Sequence, residues 1–109
     1  VIDNLIANAI DASPEGGTVR VTLEADAAEV RVLVEDRGPG VPAPHEHEIF
    51  EPFFSLKPNG TGLGLFLSHA LLAVQGGRLS YRRGTDTTTF IVGLPTRAPE
   101  LADASHPGR

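Results

Sequence analysis

The 109-residue chain contains no cysteine, so it builds no disulfide framework and offers no thiolate spacing for zinc. No run approaches the ~18 apolar residues that a membrane-spanning helix needs, although 40% of the residues are hydrophobic, an ordinary share for a globular core. Basic residues are in the minority, 9 Lys and Arg against 14 Asp and Glu. That balance argues against a nucleic-acid partner. A net charge of −5 leaves no general positive field, so any phosphate site has to be local, built from backbone N–H groups and a cation. No methionine opens the chain, which starts on Val1 inside a helical pattern and reads as a fragment of a longer protein. The expectation is a single cytoplasmic domain, with any signal or inner-membrane anchor lying in the parent protein.

What is present falls into alternating texts. Ile2, Leu5, Ile6, Ala9 and Ile10 form a helical stripe over residues 1–12, stopped by Ser13-Pro14-Glu15-Gly16-Gly17. Val19, Val21 and Leu23 alternate, and Val30, Val32 and Val34 alternate again, which predicts antiparallel strands. From residue 36 to 64 the text turns to Gly, Pro and charge, with an apolar island at Ile49-Phe50 and Phe53-Phe54. So long a stretch without periodicity points to a functional loop or lid. Residues 63–74 are helical again, ending at Gly76-Gly77. Residues 78–83 and 87–94 predict two more strands, and the Ala-, Pro- and Asp-rich tail 96–109 is expected to be disordered. The order predicts an α/β two-layer sandwich, with helices on one face of a mixed, mostly antiparallel sheet.

Within that frame, short segments recur in a telling order: Asn4-Leu5-Ile6-Ala7-Asn8-Ala9, Asp36-Arg37-Gly38-Pro39-Gly40, Phe50-Glu51-Pro52-Phe53-Phe54 and Gly60-Thr61-Gly62-Leu63-Gly64-Leu65. Gly76-Gly77 with Thr89-Phe90 and Leu94-Pro95 closes the set. Together they resemble the N, G1, F, G2 and final glycine boxes of sensor histidine kinases, within the ATPase group shared with DNA gyrase and MutL. The resemblance covers residues 1–95 and implies a Bergerat fold with a mobile ATP lid. It also implies ATP and Mg²⁺ as ligands, and a phosphoacceptor histidine on a separate dimerisation domain. A response-regulator receiver domain follows as the downstream partner. The fragment itself is expected to be monomeric and the parent kinase a homodimer.

Each box has a physical reading. Asn4 and Asn8 share a helical face, either as the polar edge of the helix or, by the resemblance, with Asn8 as the Mg²⁺ ligand. A neutral oxygen suits a hard cation already surrounded by triphosphate charge. Asp11 on the same helix joins the nucleotide-binding set. Asp36 is either a turn former or a carboxylate that accepts from the exocyclic amine of adenine and faces a carbonyl in guanine. Gly38 and Gly40 let the backbone pass close to the base. Gly60, Thr61, Gly62, Leu63 and Gly64 end a loop and open a helix, whose bare amides form an anion site. A dinucleotide fingerprint is excluded there, because no strand precedes it. Lys57 is either a solvated loop lysine or a phosphate contact, and Thr89 either a strand former or, by the resemblance, an adenine contact through water. The Phe50, Phe53 and Phe54 box combines core aromatics with a latch facing the phosphoacceptor domain.

His47-Glu48-Ile49-Phe50-Glu51-Pro52 has the H-E-x-x-x-P spacing of a phosphoacceptor site, but it falls in the lid rather than on a long hairpin helix. His45 and His47 lack a third ligand for a metal, and His69 and His106 read as a helix residue and a tail residue. Hydrolysing members of the group carry a glutamate where this chain has Asn4, and an amide cannot take a proton from water. Phosphoryl transfer to histidine is therefore expected rather than hydrolysis. An anti-sigma-factor-type serine kinase and a binding module without catalysis are the alternatives. Asn8-Ala9-Ile10-Asp11-Ala12-Ser13 and Gly64-Leu65-Phe66-Leu67 also resemble the redox-responsive global-regulator sensor kinases.

Overall fold

The computed structural model describes residues 1–55 and 60–96. Lys57, His106 and the tail from residue 97 lie outside the described residues. The elements are helix α1 (Ile2–Ala12), strands β1 (Arg20–Ala25) and β2 (Glu29–Asp36), a 3-10 turn (Ala43–Glu48), helix α2 (Gly64–Val74), and strands β3 (Arg78–Arg83) and β4 (Thr88–Pro95). The sheet runs β1-β2-β4-β3, with α1 packed over β2 and α2 over β3.

Every strand pair among the described residues is antiparallel, in keeping with the mostly antiparallel sheet expected, and no parallel pair occurs among them. The long crossover from β2 through α2 does bring β3 back parallel to β2. The tight β3–β4 hairpin then folds β4 into the space between them, so the two parallel strands never touch. The β1–β2 hairpin is held by Asp26, whose Oδ1 accepts from the N–H groups of Ala28 at 2.8 Å and Glu29 at 2.9 Å.

Strand alternation selects the inner face. Val32, Val92 and Leu79 share one register row, and Val34, Phe90 and Tyr81 the next. Leu5 and Ala9 of α1 and Leu72 of α2 close over them. Val21 and Leu23 stand opposite Val34 and Val32, as their alternation predicts. Leu23 is nevertheless 72% exposed, and Ile10 is also exposed, because β1 is the outer strand and α1 lies over its neighbour. The stretch expected to be a loop or lid carries some regular structure among its described residues. Pro42 caps the turn Ala43–Glu48 and Pro44 sits in its first positions, and Ile49 just after it is only 2% exposed in the core. Helix α2 ends as its glycines predict: Gly76 takes φ +76°, and the Gly77 N–H returns to the Leu72 carbonyl at 2.8 Å. Among the described residues no helix is long and apolar enough to cross a membrane.

Candidate nucleotide site

A cavity of about 580 Å³ opens where β2 ends, between the two helices and the sheet. Asn4, Asn8 and Asp11 reach it from α1, and Asp36 and Gly40 from the end of β2 and the loop behind it. Gly60, Thr61, Gly62 and Gly64 reach it from the approach to α2. Segments sixty residues apart in the chain therefore meet around one space.

Asp36 is the most constrained of these groups. It is 3% exposed, and its Oδ1 accepts from the Gly38 N–H at 2.7 Å. Among the described residues its other oxygen has no donor, and the side chain lines the cavity. Burial pushes its carboxyl above the usual carboxylate value, with Glu35 adding to the rise. The Gly38 N–H and the Arg83 charge pull the other way. The result is a buried carboxylate acceptor in the wall of the cavity.

Around Asn4 the two helices are pressed together. A Cβ on Gly64 would stand 2.7 Å from the Asn4 Oδ1 and 2.9 Å from its Nδ2, so the first residue of α2 has to be glycine. That Nδ2 is buried without a hydrogen-bond partner among the described residues. An orphaned donor one turn before Asn8, against the first residue of α2 and the glycine-rich loop that leads into it, is the state expected of a group that takes a ligand. Gly62 takes φ +74°, and a Cβ there would land on the backbone of Phe53. Phe53 donates its N–H to the Gly62 carbonyl at 2.8 Å, which ties the F segment to the glycine-rich one. Phe53 itself sits at φ 71° with its ring 76% exposed.

Not every expected residue faces the cavity. Gly38 lies beneath the Ala12 carbonyl and acts through its backbone, while Leu63 caps α2 and donates its N–H to Thr61 Oγ1 at 3.2 Å. Thr89 pairs with Glu35 and Arg82, which puts it on the sheet face away from the helices. Its neighbour Thr88 lines the cavity, in one row with Asp36 and Arg83. Inward-facing Phe90 carried the signal, since period-2 alternation from it selects Thr88. Tyr81 also lines the cavity and was not anticipated. Its ring packs on Phe90 with centroids 5.4 Å apart.

The histidines sit elsewhere. His47 is exposed on the Ala43–Glu48 turn. His45 pairs with Glu48 at 3.1 Å, and His69 stacks on Phe50 with centroids 5.0 Å apart. No group of three potential metal-ligating acids or histidines exists among the described residues.

The family described as histidine kinase-, DNA gyrase B-, and HSP90-like ATPase matches residues 1–98. Among curated relatives, the C4-dicarboxylate transport sensor protein DctB of Rhizobium meliloti is 38% identical over 86% of this chain. Sporulation kinase A of Bacillus subtilis is 42% identical over 89%. The chain spans only 16% of the length of each. Among solved structures, the catalytic domain of histidine kinase ThkA superposes with a TM-score of 0.76 at 36% identity, over 84% of this chain and 61% of that one. Full-length ShkA in complex with AMPPNP gives 0.74 at 33% identity, over 99% of this chain and 24% of that one.

Proposed function

The chain belongs to the histidine kinase-, DNA gyrase B-, and HSP90-like ATPase family, and from that premise we propose that it binds MgATP and presents the γ-phosphate to a histidine on a separate helical phosphoacceptor domain. The observation that carries the reading is Asp36: a buried carboxylate with one oxygen engaged by the Gly38 N–H and a side chain that lines the cavity. It accepts from the adenine amine, and a guanine carbonyl at that place is repelled. The triphosphate runs toward Asn4, Asn8 and the amides of Gly60, Thr61, Gly62 and Gly64, where the helix N-terminus favours anions. Lys57 adds a phosphate contact, and Asp11 orders the ligands around Asn8.

Mg²⁺ fits this end of the cavity through the side-chain oxygen of Asn8, and when bound it neutralises charge on the phosphates. The chain's own residues position and shield. Asn4 is an amide, and the cavity holds no carboxylate in its place to take a proton from water. A neutral imidazole needs no base to attack phosphorus. Its nitrogen lone pair forms the new N–P bond, the bond from phosphorus to the bridging oxygen breaks, and ADP leaves with that electron pair. The partners of such a domain are the phosphoacceptor domain of a homodimeric parent kinase and, beyond it, a receiver domain, all on the cytoplasmic side.

The experiment is a pair of assays on the 109-residue chain: phosphate release alone, and labelling from γ-labelled ATP with a histidine-kinase phosphoacceptor domain added. Near-background hydrolysis and acid-labile label on the added domain support the proposal. Sustained hydrolysis by the chain alone refutes it in favour of an ATPase, and acid-stable label on serine points to a serine kinase of the anti-sigma-factor type.

A further inference from the structure

The loop that follows Asp36 is anchored from an unexpected direction. It leaves β2, yet its fastenings lie on β3, two strands away at the edge of the sheet. Arg83 Nη1 donates to the Gly38 carbonyl at 2.8 Å and to Thr88 Oγ1 at 2.7 Å. The Tyr81 hydroxyl accepts from the Val41 N–H at 2.9 Å. Gly40 lies between these ties at φ +73°. A Cβ there would stand 2.9 Å from both Thr88 Oγ1 and the Tyr81 hydroxyl, and 3.0 Å from Arg83 Cδ. The loop is thus held at both ends and pressed flat in the middle by side chains of β3 and β4.

We propose that Arg83 is a positioning residue that sets which purine the cavity accepts, with Tyr81 as its companion on β3. The inference rests on the nucleotide reading above and adds the residues that enforce it.

The reasoning is a matter of donors and acceptors. A hydroxyl that accepts a hydrogen bond turns its own hydrogen away from that donor. Thr88 accepts from Arg83, and Tyr81 accepts from Val41. Both residues line the cavity, and both hydroxyls stand beside Gly40 in its wall, so each has a hydrogen not committed to its donor. Beside them Asp36 has one oxygen engaged by Gly38 and the other as an acceptor. The inner end of the cavity therefore shows an acceptor next to a donor. The adenine edge, an amine beside an unprotonated ring nitrogen, is its complement, directly or through a water. Guanine presents the reverse order.

Arg83 is what keeps Thr88 in the donor sense. The same guanidinium, by holding Gly38 through its carbonyl, fixes the N–H that orients Asp36. Its charge also favours the ionised form of that carboxylate. Arg83 itself is exposed and is not among the side chains packed into the hydrophobic core, so its removal is expected to leave the fold intact.

The test is calorimetric titration of ATP, and competition by GTP, for wild type, R83M, R83K and Y81F, with the thermal midpoint of each nucleotide-free protein. Loss of a charged hydrogen bond predicts about a tenfold weaker ATP affinity for R83M. GTP affinity falls less, so the preference between the two narrows, while the midpoint stays within about 3 °C of wild type. R83K reaches one of the two acceptors and recovers part of the ATP affinity, and Y81F weakens ATP severalfold. ATP affinity unchanged in R83M overturns the inference and leaves the nucleotide reading standing. So does an equal loss for both nucleotides. A wild-type chain that binds no ATP overturns both.

Discussion

Replacing Asp36 with asparagine separates what this carboxylate does for the ligand from what it does to the protein. The Gly38 N–H, 2.7 Å from Oδ1, keeps an oxygen at that position, because a donor there would face a donor. The amide nitrogen of the variant is thereby forced into the place of the cavity-facing oxygen. An adenine amine that met a charged acceptor now meets N–H. A hydrogen bond to a charged group contributes about 1.5–3 kcal/mol, and each 1.4 kcal/mol is about tenfold in affinity. ATP binding should therefore fall at least tenfold to a hundredfold. The nucleotide-free protein should respond in the opposite sense. Burial raises the folded-state pKa of Asp36 above its usual value, so the fold disfavours the ionised form relative to the unfolded chain. The associated stability is fully present below the unfolded pKa and is lost as pH rises through the folded one. At pH 7 the ionised group opposes folding, and asparagine, which resembles the protonated acid, removes that cost. D36N should be at least as stable as wild type at pH 7 in the absence of nucleotide, and should lose its stabilisation by added ATP. Thermal melts with and without ATP, alongside calorimetric titration, read both quantities. ATP affinity within a factor of two of wild type would remove Asp36 from adenine reading. A nucleotide-free variant less stable than wild type at pH 7 would mean that the carboxylate is net stabilised by its neighbours, against the reasoning above.

Further outcomes follow from the other walls of the cavity. Asn8→Ala should remove most of the Mg²⁺ dependence of ATP affinity while leaving metal-free binding nearly unchanged, as titrations with and without the ion would read; an intact Mg²⁺ response makes Asn8 a polar helix edge only. Gly62→Ala meets both the left-handed penalty of about 1–2 kcal/mol and the Phe53 backbone, so ATP binding and the thermal midpoint should both drop. An unchanged midpoint would show that the Phe53–Gly62 tie is dispensable. Gly64→Ala drives a methyl into the Asn4 amide and should lower the thermal midpoint as well as weaken ATP at least tenfold. Adding Asn4→Ala should return part of that stability, because the two residues share one contact, and a double-mutant cycle without coupling counts against the contact.

Much of this was legible one element at a time. The stripe Ile2, Leu5, Ile6 and Ala9 marked α1, the valine alternation marked β1 and β2, and Gly76-Gly77 marked the end of α2. What local pattern could not supply was adjacency. A crossover helix implies a parallel return, and β3 does run parallel to β2, but nothing local says that β4 will fold in between. The same limit hid Arg83 and Tyr81. Their partners Gly38 and Val41 stand 45 and 40 positions earlier, and only the register of two intervening strand pairs brings them together. Thr89 and Thr88 differ in another way, since alternation from inward-facing Phe90 already selects Thr88 as the one on the cavity side.

The row Asp36–Thr88–Arg83 shows why that register matters more than any single motif. Its members come from β2, β4 and β3, in register across the sheet, and neighbouring strands lie about 4.8 Å apart. An acidic acceptor, a hydroxyl and a cation are thereby set in order along one line on the cavity side of the sheet, without a loop to position any of them. Slipping either strand pair by one residue would turn its side chain to the other face. Thr88 would leave the cavity and Arg83 would lose Gly38. The core rows behind it, Val34–Phe90–Tyr81 and Val32–Val92–Leu79, forbid that slip, because it would also expose Phe90 and Val92. Hydrophobic packing thus fixes the polarity of the nucleotide site at a distance. Substitutions that loosen those inner rows should broaden nucleotide preference before they unfold the domain.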